Sequence, residues 1–313
     1  MEQISCALCD TDGTHPYATE NGYSAVRCVT CGLVYCNPRP SIHEMRELYE
    51  GQETQIDLRG HLLQRDRKLA EADKALEYIE RYISSGRLLE VGSAAGYFLW
   101  AAQQRGFVVQ GLDITDQFVK FSRDVLGVPT LRGTLRDVPF TAGSFDIVYH
   151  RNVLSHLAYP VDELRVLYNL LRPGGMMIFE TGNVGELDAD GAGSLELPDH
   201  LYHFSEQTIR KLLEVTGFHC VQVHRCFLVE KLAPFQRIEA YLRRRVAKAR
   251  KGRFGDTSDI RSMPLTNAVL RGVMRLGQRV RYDLGECLPT EGLRSTLIVV
   301  AKRPLEAGPE WHA

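Results

Sequence analysis

The sequence lacks the features that mark membrane, secreted and polyanion-binding proteins. No stretch approaches the roughly 18 uninterrupted apolar residues of a membrane-spanning helix. The first residues lack the basic and then apolar segments of a secretory signal. The formal net charge of the 313 residues is -1, so the protein as a whole does not attract nucleic acid. We therefore expect a cytoplasmic protein, in a compartment where thiols stay reduced.

Four of the eight cysteines form two Cys-x-x-Cys pairs near the N-terminus. Two such pairs, each on a tight turn, can place four thiolates around one zinc ion. The alternatives are a chance cluster and a redox dithiol, which usually begins a helix in a thioredoxin-like context that is absent here. Four protein ligands leave no open coordination position, so we expect a structural zinc site. Its predicted ligands are Cys6, Cys9, Cys28 and Cys31.

Short apolar runs alternate with segments of helical periodicity from residue 86 onward. Such alternation predicts a parallel sheet covered by helices on both faces. A final apolar run supplies an antiparallel partner for the sixth strand. The predicted helices include residues 116–126 and 160–171. The predicted strands are residues 87–91, 107–113, 128–132, 145–150, 176–181, 219–227 and 295–302.

The turn after the first predicted strand has the composition of a ligand-binding loop. Gly92 and Gly96 allow close approach of the backbone, and Asp113 ends the next strand, where an acid can bind ribose hydroxyls. The loop has neither the Gly-x-Gly-x-x-Gly pattern of nicotinamide binding nor a P-loop lysine. The acid Glu90 would repel a pyrophosphate but suits a ligand that carries an ammonium group. These features favour S-adenosylmethionine among nucleoside cofactors.

Five segments together resemble the ordered motifs of class I S-adenosylmethionine-dependent methyltransferases. They are LLEVGSAAG (88–96), GLDI (111–114), FDIV (145–148), VLSHL (153–157) and LRPGG (171–175). The cysteine ribbon with CGLV (31–34), NPRP (37–40) and HLYHFS (200–205) is similar to one subgroup. In that subgroup a zinc ribbon precedes the methyltransferase domain, and many members act on sugars, glycans or natural products.

The resemblance implies an α/β fold, with a Rossmann-like, doubly wound sheet of seven strands whose last strand is antiparallel. It divides the chain into a zinc-binding ribbon (1–40), linking helices (41–85), a methyltransferase domain (86–228 and 290–304) and a basic helical insertion before the last strand (229–289). The insertion is interpreted as two solvated amphipathic helices that cover the substrate cleft. The alternative is a dock for an anionic partner: a sugar nucleotide, a lipid-linked glycan at a membrane surface, or RNA.

The resemblance also implies which residues bind the cofactor S-adenosylmethionine. Thr134 departs from the family pattern, which often has Asp at this position, so backbone groups would contact the adenine. Glu90, Gly92 and Gly96 would contact the methionyl part of the cofactor, and Asp113 its ribose. Ile114, Thr134 and Leu135 would contact the adenine, and His150 and Arg151 would lie at the methionine end beside the substrate.

An oxygen acceptor benefits from a base with a pKa near 7, which histidine offers. His203, His200 and His156 are the candidate bases, with structural packing as the alternative role for each. Some quinone O-methyltransferases carry the cation-site pattern Glu-x-x-Glu-His after the fourth strand. Residues 152–156 of this sequence lack both acids, so we expect no catalytic metal. The leading hypothesis is O-methylation of a sugar, glycan or natural-product hydroxyl. RNA methylation, C-methylation of a nucleotide-linked sugar and a scaffold without activity are the alternatives.

Overall fold

The computed structural model describes residues 1–45, 47, 58–185, 187, 194–227, 276 and 295–306. The predicted basic insertion, residues 229–289, lies outside the described residues apart from Leu276. No helix in the described part of the chain combines the length and the apolar character needed to cross a membrane.

A seven-stranded sheet forms the centre of the protein. Its strands are β4 (Arg87–Val91), β5 (Val108–Asp113), β6 (Thr130–Arg132), β7 (Phe145–Arg151), β8 (Leu171–Gly182), β10 (His219–Phe227) and β11 (Ser295–Lys302). Their spatial order is β10-β11-β8-β7-β4-β5-β6. β11 pairs antiparallel with both of its neighbours, whereas β4, β5, β6, β7 and β8 are parallel. The predicted Rossmann-like sheet with an antiparallel last strand is therefore confirmed.

Helices cover both faces of this sheet because its central strands are apolar on both sides. Leu88 packs into one core cluster and its neighbour Leu89 into the other, and Ile147 and Val148 divide in the same way. Each fully buried leucine contributes roughly 1.5 to 3 kcal/mol. The helices are α1 (Leu58–Leu63), α2 (Arg65–Ile79), α3 (Tyr97–Gln104), α4 (Asp116–Lys120), α5 (Pro160–Leu170) and α6 (Glu206–Val215).

The helix predicted over residues 116–126 changes character in the middle. α4 continues as a π-helical segment, Phe121–Leu126. This segment contains Ser122, which is buried and whose hydroxyl lies 2.8 Å from the hydroxyl of Thr130. π-helical turns are rare and often occur beside functional sites. Here the segment packs against the glycine loop that follows β4.

The N-terminal residues form a second, four-stranded sheet. β1 (Thr14–Glu20), β2 (Tyr23–Cys28) and β3 (Val34–Cys36) form the ribbon, in that spatial order. The fourth strand, β9 (Tyr202–His203), comes from a remote part of the sequence, after β8. This pairing was not expected from the sequence. It joins the ribbon to the segment that carries His200 and His203.

Candidate functional site

The four predicted zinc ligands lie together at one end of the ribbon. The sulfur atoms of Cys6 and Cys31 are 3.5 Å apart, as are those of Cys9 and Cys28. These distances exceed a disulfide bond. They fit the edges of a tetrahedron around an ion about 2.3 Å from each sulfur. The donor set and its spacing therefore suit a structural zinc ion.

The turns of the ribbon explain how the sulfur atoms converge. The amide of Asp10 donates to the carbonyl of Cys6, and the amide of Gly32 donates to the carbonyl of Cys28. Each bond closes a tight turn around a Cys-x-x-Cys pair. Gly32 has a φ of +78°, which a residue with a side chain rarely adopts. The sequence thus encodes both turns locally.

A cavity of about 550 Å³ opens at the carboxyl ends of β4, β7 and β8. This is the edge at which open α/β sheets bind their ligands. Residues of the glycine loop, of α2 and of the segment before β9 line it together. The predicted site residues that line the cavity are Glu90, Gly92, Gly96, Arg151, His200 and His203.

The two glycines of the loop are required by the chain's own packing. Gly92 and Gly96 have φ values of +70° and +77°. A Cβ atom would lie 2.5 Å from the side chain of Val153 at the first position. At the second it would lie 2.2 Å from the hydroxyl of Ser122. The sequence analysis attributed these glycines to the approach of a ligand, and the structure adds this steric reason.

Glu90 is a buried carboxyl group on the cavity wall. One of its oxygens, Oε2, has no hydrogen-bond partner within the part of the chain that the structure describes. Burial raises the pKa of Glu90 well above its ordinary value, and the neighbouring carboxyl of Asp113 raises it further. A buried carboxyl in this state fits a ligand that brings a positive charge. The ammonium group of S-adenosylmethionine meets this requirement.

Backbone amides of the glycine loop and of the turn after β5 hold the carboxylate of Asp113 in place. Its carboxylate accepts hydrogen bonds from the amides of Ala94, at 2.7 Å, and Thr115, at 2.8 Å. Burial raises the pKa of Asp113, while these two amides oppose the rise. A carboxylate offers about four acceptor positions. Asp113 can therefore accept from ribose hydroxyls while it holds the loop.

A network of charges from α2 forms another part of the wall. Glu71 accepts from Arg67 at 2.8 Å and from Arg151 at 2.7 Å, and Arg151 also lies 3.4 Å from Glu180. Burial opposes ionisation of Glu71, but Arg151, Lys68 and Arg67 outweigh it and lower its pKa to about 2. The residues of α2 were not predicted from the sequence, in which the signal was the i, i+4 spacing of Arg67, Glu71 and Ala75 along one helix face.

The structure brings the three candidate bases together. The ring centroids of His156 and His200 are 4.6 Å apart, and those of His200 and His203 are 6.2 Å apart. His203 is buried, and it lines the cavity together with His200. The Nδ1 atom of His156 lies 2.9 Å from the carbonyl oxygen of Asp199. Their roles in catalysis remain predictions.

His150 does not line the cavity, contrary to the expected place beside the methionine end. The alternation of β7 turns its neighbours Tyr149 and Arg151 toward the cavity and His150 to the other face. Its ring stacks on Phe179 with centroids 4.7 Å apart. Burial lowers the pKa of His150 to about 3, so the ring stays neutral.

The three residues predicted to lie at the adenine also fall outside the cavity lining. Ile114 is exposed, which leaves its side chain accessible to a ring that binds beside the cavity. The hydroxyl of Thr134 donates to Asp137 at 2.8 Å, so it is engaged within its own turn. Leu135 is buried in the core. Contact of these residues with a cofactor stays a prediction.

The ribbon holds the segment that precedes β9. The carboxylate of Glu20 accepts from the hydroxyl of Ser194 and from the amides of Leu195 and Glu196. The side-chain amide of Asn21 donates to the backbone carbonyl of Leu197 at 2.8 Å. Three of these partners, residues 194–196, line the cavity. The ribbon is therefore part of the structure of the site.

Comparison with known proteins identifies the central region of the chain. A family model described as a methyltransferase domain matches residues 62–223. The match covers about half of the 313 residues and includes the glycine loop, Asp113 and the three candidate bases.

Several curated proteins are similar over shorter stretches. The tRNA U34 carboxymethyltransferase of Azotobacter vinelandii is 33% identical over 124 residues, 37% of this chain and 37% of that protein. The protein of the same name from Pseudoalteromonas translucida is 28% identical over 166 residues, 49% of this chain and 51% of that one. A biotin biosynthesis bifunctional protein of Cellvibrio japonicus is 28% identical over 36% of this chain and 23% of its own length. The chain thus spans between about a quarter and half of the length of these relatives.

Two solved structures resemble the protein over most of its length. One is assigned as a sarcosine dimethylglycine methyltransferase from Galdieria sulphuraria, with a TM-score of 0.51 at 14% identity over 75% of this chain and 85% of that chain. The other belongs to the complex between the Haloferax volcanii Trm112 methyltransferase activator and a protein assigned as a methyltransferase. Its TM-score is 0.51 at 17% identity, over 86% of this chain and 100% of that chain. At these identities the likeness shows the fold.

Proposed function

Because the chain belongs to the methyltransferase-domain family, we propose that it transfers the methyl group of S-adenosylmethionine to a hydroxyl oxygen of an acceptor bound beside His203. Dependence on S-adenosylmethionine follows from the family and the fold. The choice of acceptor group is the proposal. One observation carries it: Glu90, whose buried Oε2 has no hydrogen-bond partner among the described residues, lines a single cavity together with the glycine loop and His203.

The chain's own residues would hold each end of the cofactor's amino-acid part. Glu90 would pair with its ammonium group, and Arg67 and Lys68 on α2, which line the same cavity, carry the positive charge that its carboxylate requires. Asp113, at the end of β5, would accept from the ribose hydroxyls. When bound, the sulfonium supplies an already activated methyl group. Positioning then contributes much of the rate enhancement.

His203 is proposed to accept the proton of the attacking hydroxyl. In its neutral form the imidazole of His203, which is buried and lines the cavity, would take this proton. Its backbone is fixed by pairing with Val34 in the ribbon. General-base assistance of this kind contributes about 10²- to 10⁴-fold to a rate.

A sugar, glycan or natural-product hydroxyl fits the size of the site. The cavity of about 550 Å³ must hold the cofactor as well as the reacting part of the acceptor. Ligand sites of roughly 300 to 1,000 Å³ typically enclose one drug-sized molecule. A cavity of this size is compatible with the cofactor together with a small or terminal acceptor group.

Transfer to tRNA is the second candidate, and the named sequence relatives favour it over the sugar hypothesis. The relatives from Azotobacter vinelandii and Pseudoalteromonas translucida carry tRNA in their names. Their similarity spans 37% and 49% of this chain. A single nucleoside could reach the same cavity if the rest of the RNA lay on the protein surface. This hypothesis predicts that activity falls steeply with salt concentration.

The first experiment measures binding of S-adenosylhomocysteine by calorimetry and then methyl transfer from labelled S-adenosylmethionine. Sugar nucleotides, glycans and bulk tRNA serve as parallel acceptors at low and high salt. Incorporation into a sugar hydroxyl with little salt dependence supports the leading proposal, and salt-sensitive incorporation into tRNA supports the second. Cofactor binding with incorporation into a nitrogen or carbon atom would overturn the assignment of a hydroxyl acceptor. The variant Glu90→Gln is the control for both steps.

A further inference from the structure

A second group of metal-binding side chains lies apart from the four cysteines. His156, Asp199 and His200 each offer one ligand atom, and these atoms all lie within 4.8 Å of one another. Two donors about 2.1 Å from one ion lie roughly 3.0 to 3.4 Å apart. The three side chains therefore have to approach one another by small side-chain rotations to share one ion.

Backbone contacts fix the two segments that supply these side chains. His156 ends the short 3-10 turn after β7, whereas Asp199 and His200 precede β9. The amide of Leu201 donates to the carbonyl of Ser155 at 2.8 Å, which joins the residues next to the group. A guanidinium nitrogen of Arg39 also lies 3.2 Å from the hydroxyl of Tyr202 and donates to the carbonyl of Ala158. The group is thus held by main-chain and ribbon contacts that do not depend on an ion.

The neighbouring carbonyl suggests how a metal-binding histidine would be oriented. A histidine that binds metal through one ring nitrogen commonly donates from the other to a backbone carbonyl or a carboxylate. The Nδ1 atom of His156 lies 2.9 Å from the carbonyl of Asp199. Donation to this carbonyl would leave Nε2 as the ligand atom. The same loop therefore offers both a ligand and the group that orients a second ligand.

We propose that His156, Asp199 and His200 bind one divalent transition-metal ion at the acceptor side of the cavity. Two imidazoles and one carboxylate favour zinc, iron, cobalt or nickel over magnesium and calcium, which prefer oxygen ligands. Three protein ligands leave coordination positions open, in contrast to the closed set of four thiolates. The prediction of no catalytic metal rests on the missing acids next to His156, whereas Asp199 comes from another segment.

The position of His200 indicates what the open coordination positions would bind. His200 lines the cavity, as do Ser155 and Glu196, which are adjacent to the group. An ion there would bind an oxygen donor of the acceptor, such as one hydroxyl of a vicinal diol, and orient its neighbour toward the methyl donor. This role rests on the proposed function. Binding of the metal itself does not.

Metal titration of the full-length protein tests the site without any methyl-transfer assay. The protein is first loaded with one zinc ion per chain and then titrated with Co²⁺ alone. We expect one further equivalent to bind, with absorption bands of cobalt ligated by nitrogen and oxygen and without a thiolate charge-transfer band. His156→Ala, Asp199→Ala and His200→Ala should each lose this equivalent and keep the zinc. His43→Ala, which removes an 82% exposed histidine, should keep both metals.

Affinity for S-adenosylhomocysteine shows whether each variant is folded. If His156→Ala fails to fold, His200→Ala decides the question, because its half-buried ring lies on the loop. A wild-type protein that binds no cobalt beyond the ribbon, or alanine variants that retain the second equivalent, would overturn the proposal. Cobalt binding that these variants abolish, together with no methyl transfer to any acceptor, would leave the metal site standing and remove the proposed function.

Discussion

Tyr35 of the ribbon and Tyr202 of the cavity wall are neighbours in one antiparallel ladder, and their rings stack with centroids 6.3 Å apart. The next pair in the ladder joins Val34 to His203. The ribbon therefore supplies the strand that pairs with the one carrying the candidate base. A structural metal in the ribbon would stabilise the acceptor side of the cavity, while Glu90 and the glycine loop belong to the central sheet.

This arrangement predicts that loss of the ribbon zinc impairs catalysis more than cofactor binding. Cys28→Ser removes one of the four ligands, and structural zinc sites contribute directly to folding free energy. We expect a lower melting temperature and a kcat reduced by about 100-fold, because a displacement near 1 Å can cost that much. The affinity for S-adenosylhomocysteine should change little. Zinc analysis, calorimetry and initial rates measure the three quantities.

Cys220→Ser is the matched control, since Cys220 is a half-buried cysteine of β10 outside the ribbon. It should keep zinc, stability and rate close to the wild type. Equal losses of cofactor affinity and kcat in Cys28→Ser would contradict the coupling, because they would indicate general unfolding of the protein.

Replacement of Glu90 should weaken the cofactor and leave the fold intact. Glu90→Gln removes the charge that would pair with an ammonium group, and a hydrogen bond to a charged group contributes about 1.5 to 3 kcal/mol. Affinity for S-adenosylhomocysteine should fall by roughly 10- to 100-fold. The unliganded variant should be at least as stable as the wild type near neutral pH, because a buried carboxylate without a partner is costly. Calorimetry and chemical unfolding test both statements.

The raised pKa of Glu90 also sets the direction of two pH effects. Folded, unliganded protein keeps the proton of Glu90 to a higher pH than the unfolded chain, whose value is near 4.5. The stability that this group contributes is therefore lost as the pH rises from about 4.5 through the raised pKa. Cofactor binding requires the ionised form, so affinity should increase over the same range. A Glu90→Gln variant with the same pH profile as the wild type would contradict this assignment.

The sequence predicted the central sheet well because its signals are local. The motifs between Leu88 and Gly175 lie in single strands or in the turns beside them, and the strand order then follows from the family fold. The strands predicted over residues 219–227 and 295–302 match the observed strands for the same reason. The buried histidine His150 shows what a local motif leaves open: its neighbours and not its own side chain line the cavity, and its contact with a cofactor stays a prediction.

The long-range parts of the site could not be predicted in this way. The two-residue strand Tyr202–His203 is too short to show periodicity, and its partner β3 lies near the other end of the chain. The group of His156, Asp199 and His200 likewise forms only when the turn after β7 meets the segment before β9. Contacts between remote segments depend on tertiary packing, which a single sequence does not reveal.

Replacement of His203 separates its proposed chemistry from its place in the ladder. His203→Gln preserves the backbone pairing with Val34 but cannot accept a proton at neutral pH. The kcat should fall by about 10²- to 10⁴-fold, with unchanged affinity for S-adenosylhomocysteine. The rate of the wild type should increase with pH through an apparent pKa that the variant lacks. A variant that keeps both the rate and the pH profile would assign His203 to packing alone.

The buried charges around Glu71 should stabilise the fold at neutral pH. Arg151→Met removes the cation shared by Glu71 and Glu180, both almost fully buried, and we expect a loss of about 3 to 5 kcal/mol in the free energy of unfolding. Arg172→Met, which breaks an ion pair with Asp146 at a 48% exposed arginine, is the control and should cost about 1 kcal/mol or less.

The pH dependence identifies the carboxylate responsible. The pKa of Glu71 is lowered to about 2, so its contribution is present above about pH 4.5 and is lost as the pH falls toward 2. Without Arg151 that pKa should rise, and the loss of stability over this range should become smaller than in the wild type. Urea unfolding at a series of pH values measures this difference. Parallel profiles for the wild type and Arg151→Met would show that Arg67 and Lys68 alone keep Glu71 ionised, and that Arg151 serves the cavity and not the fold.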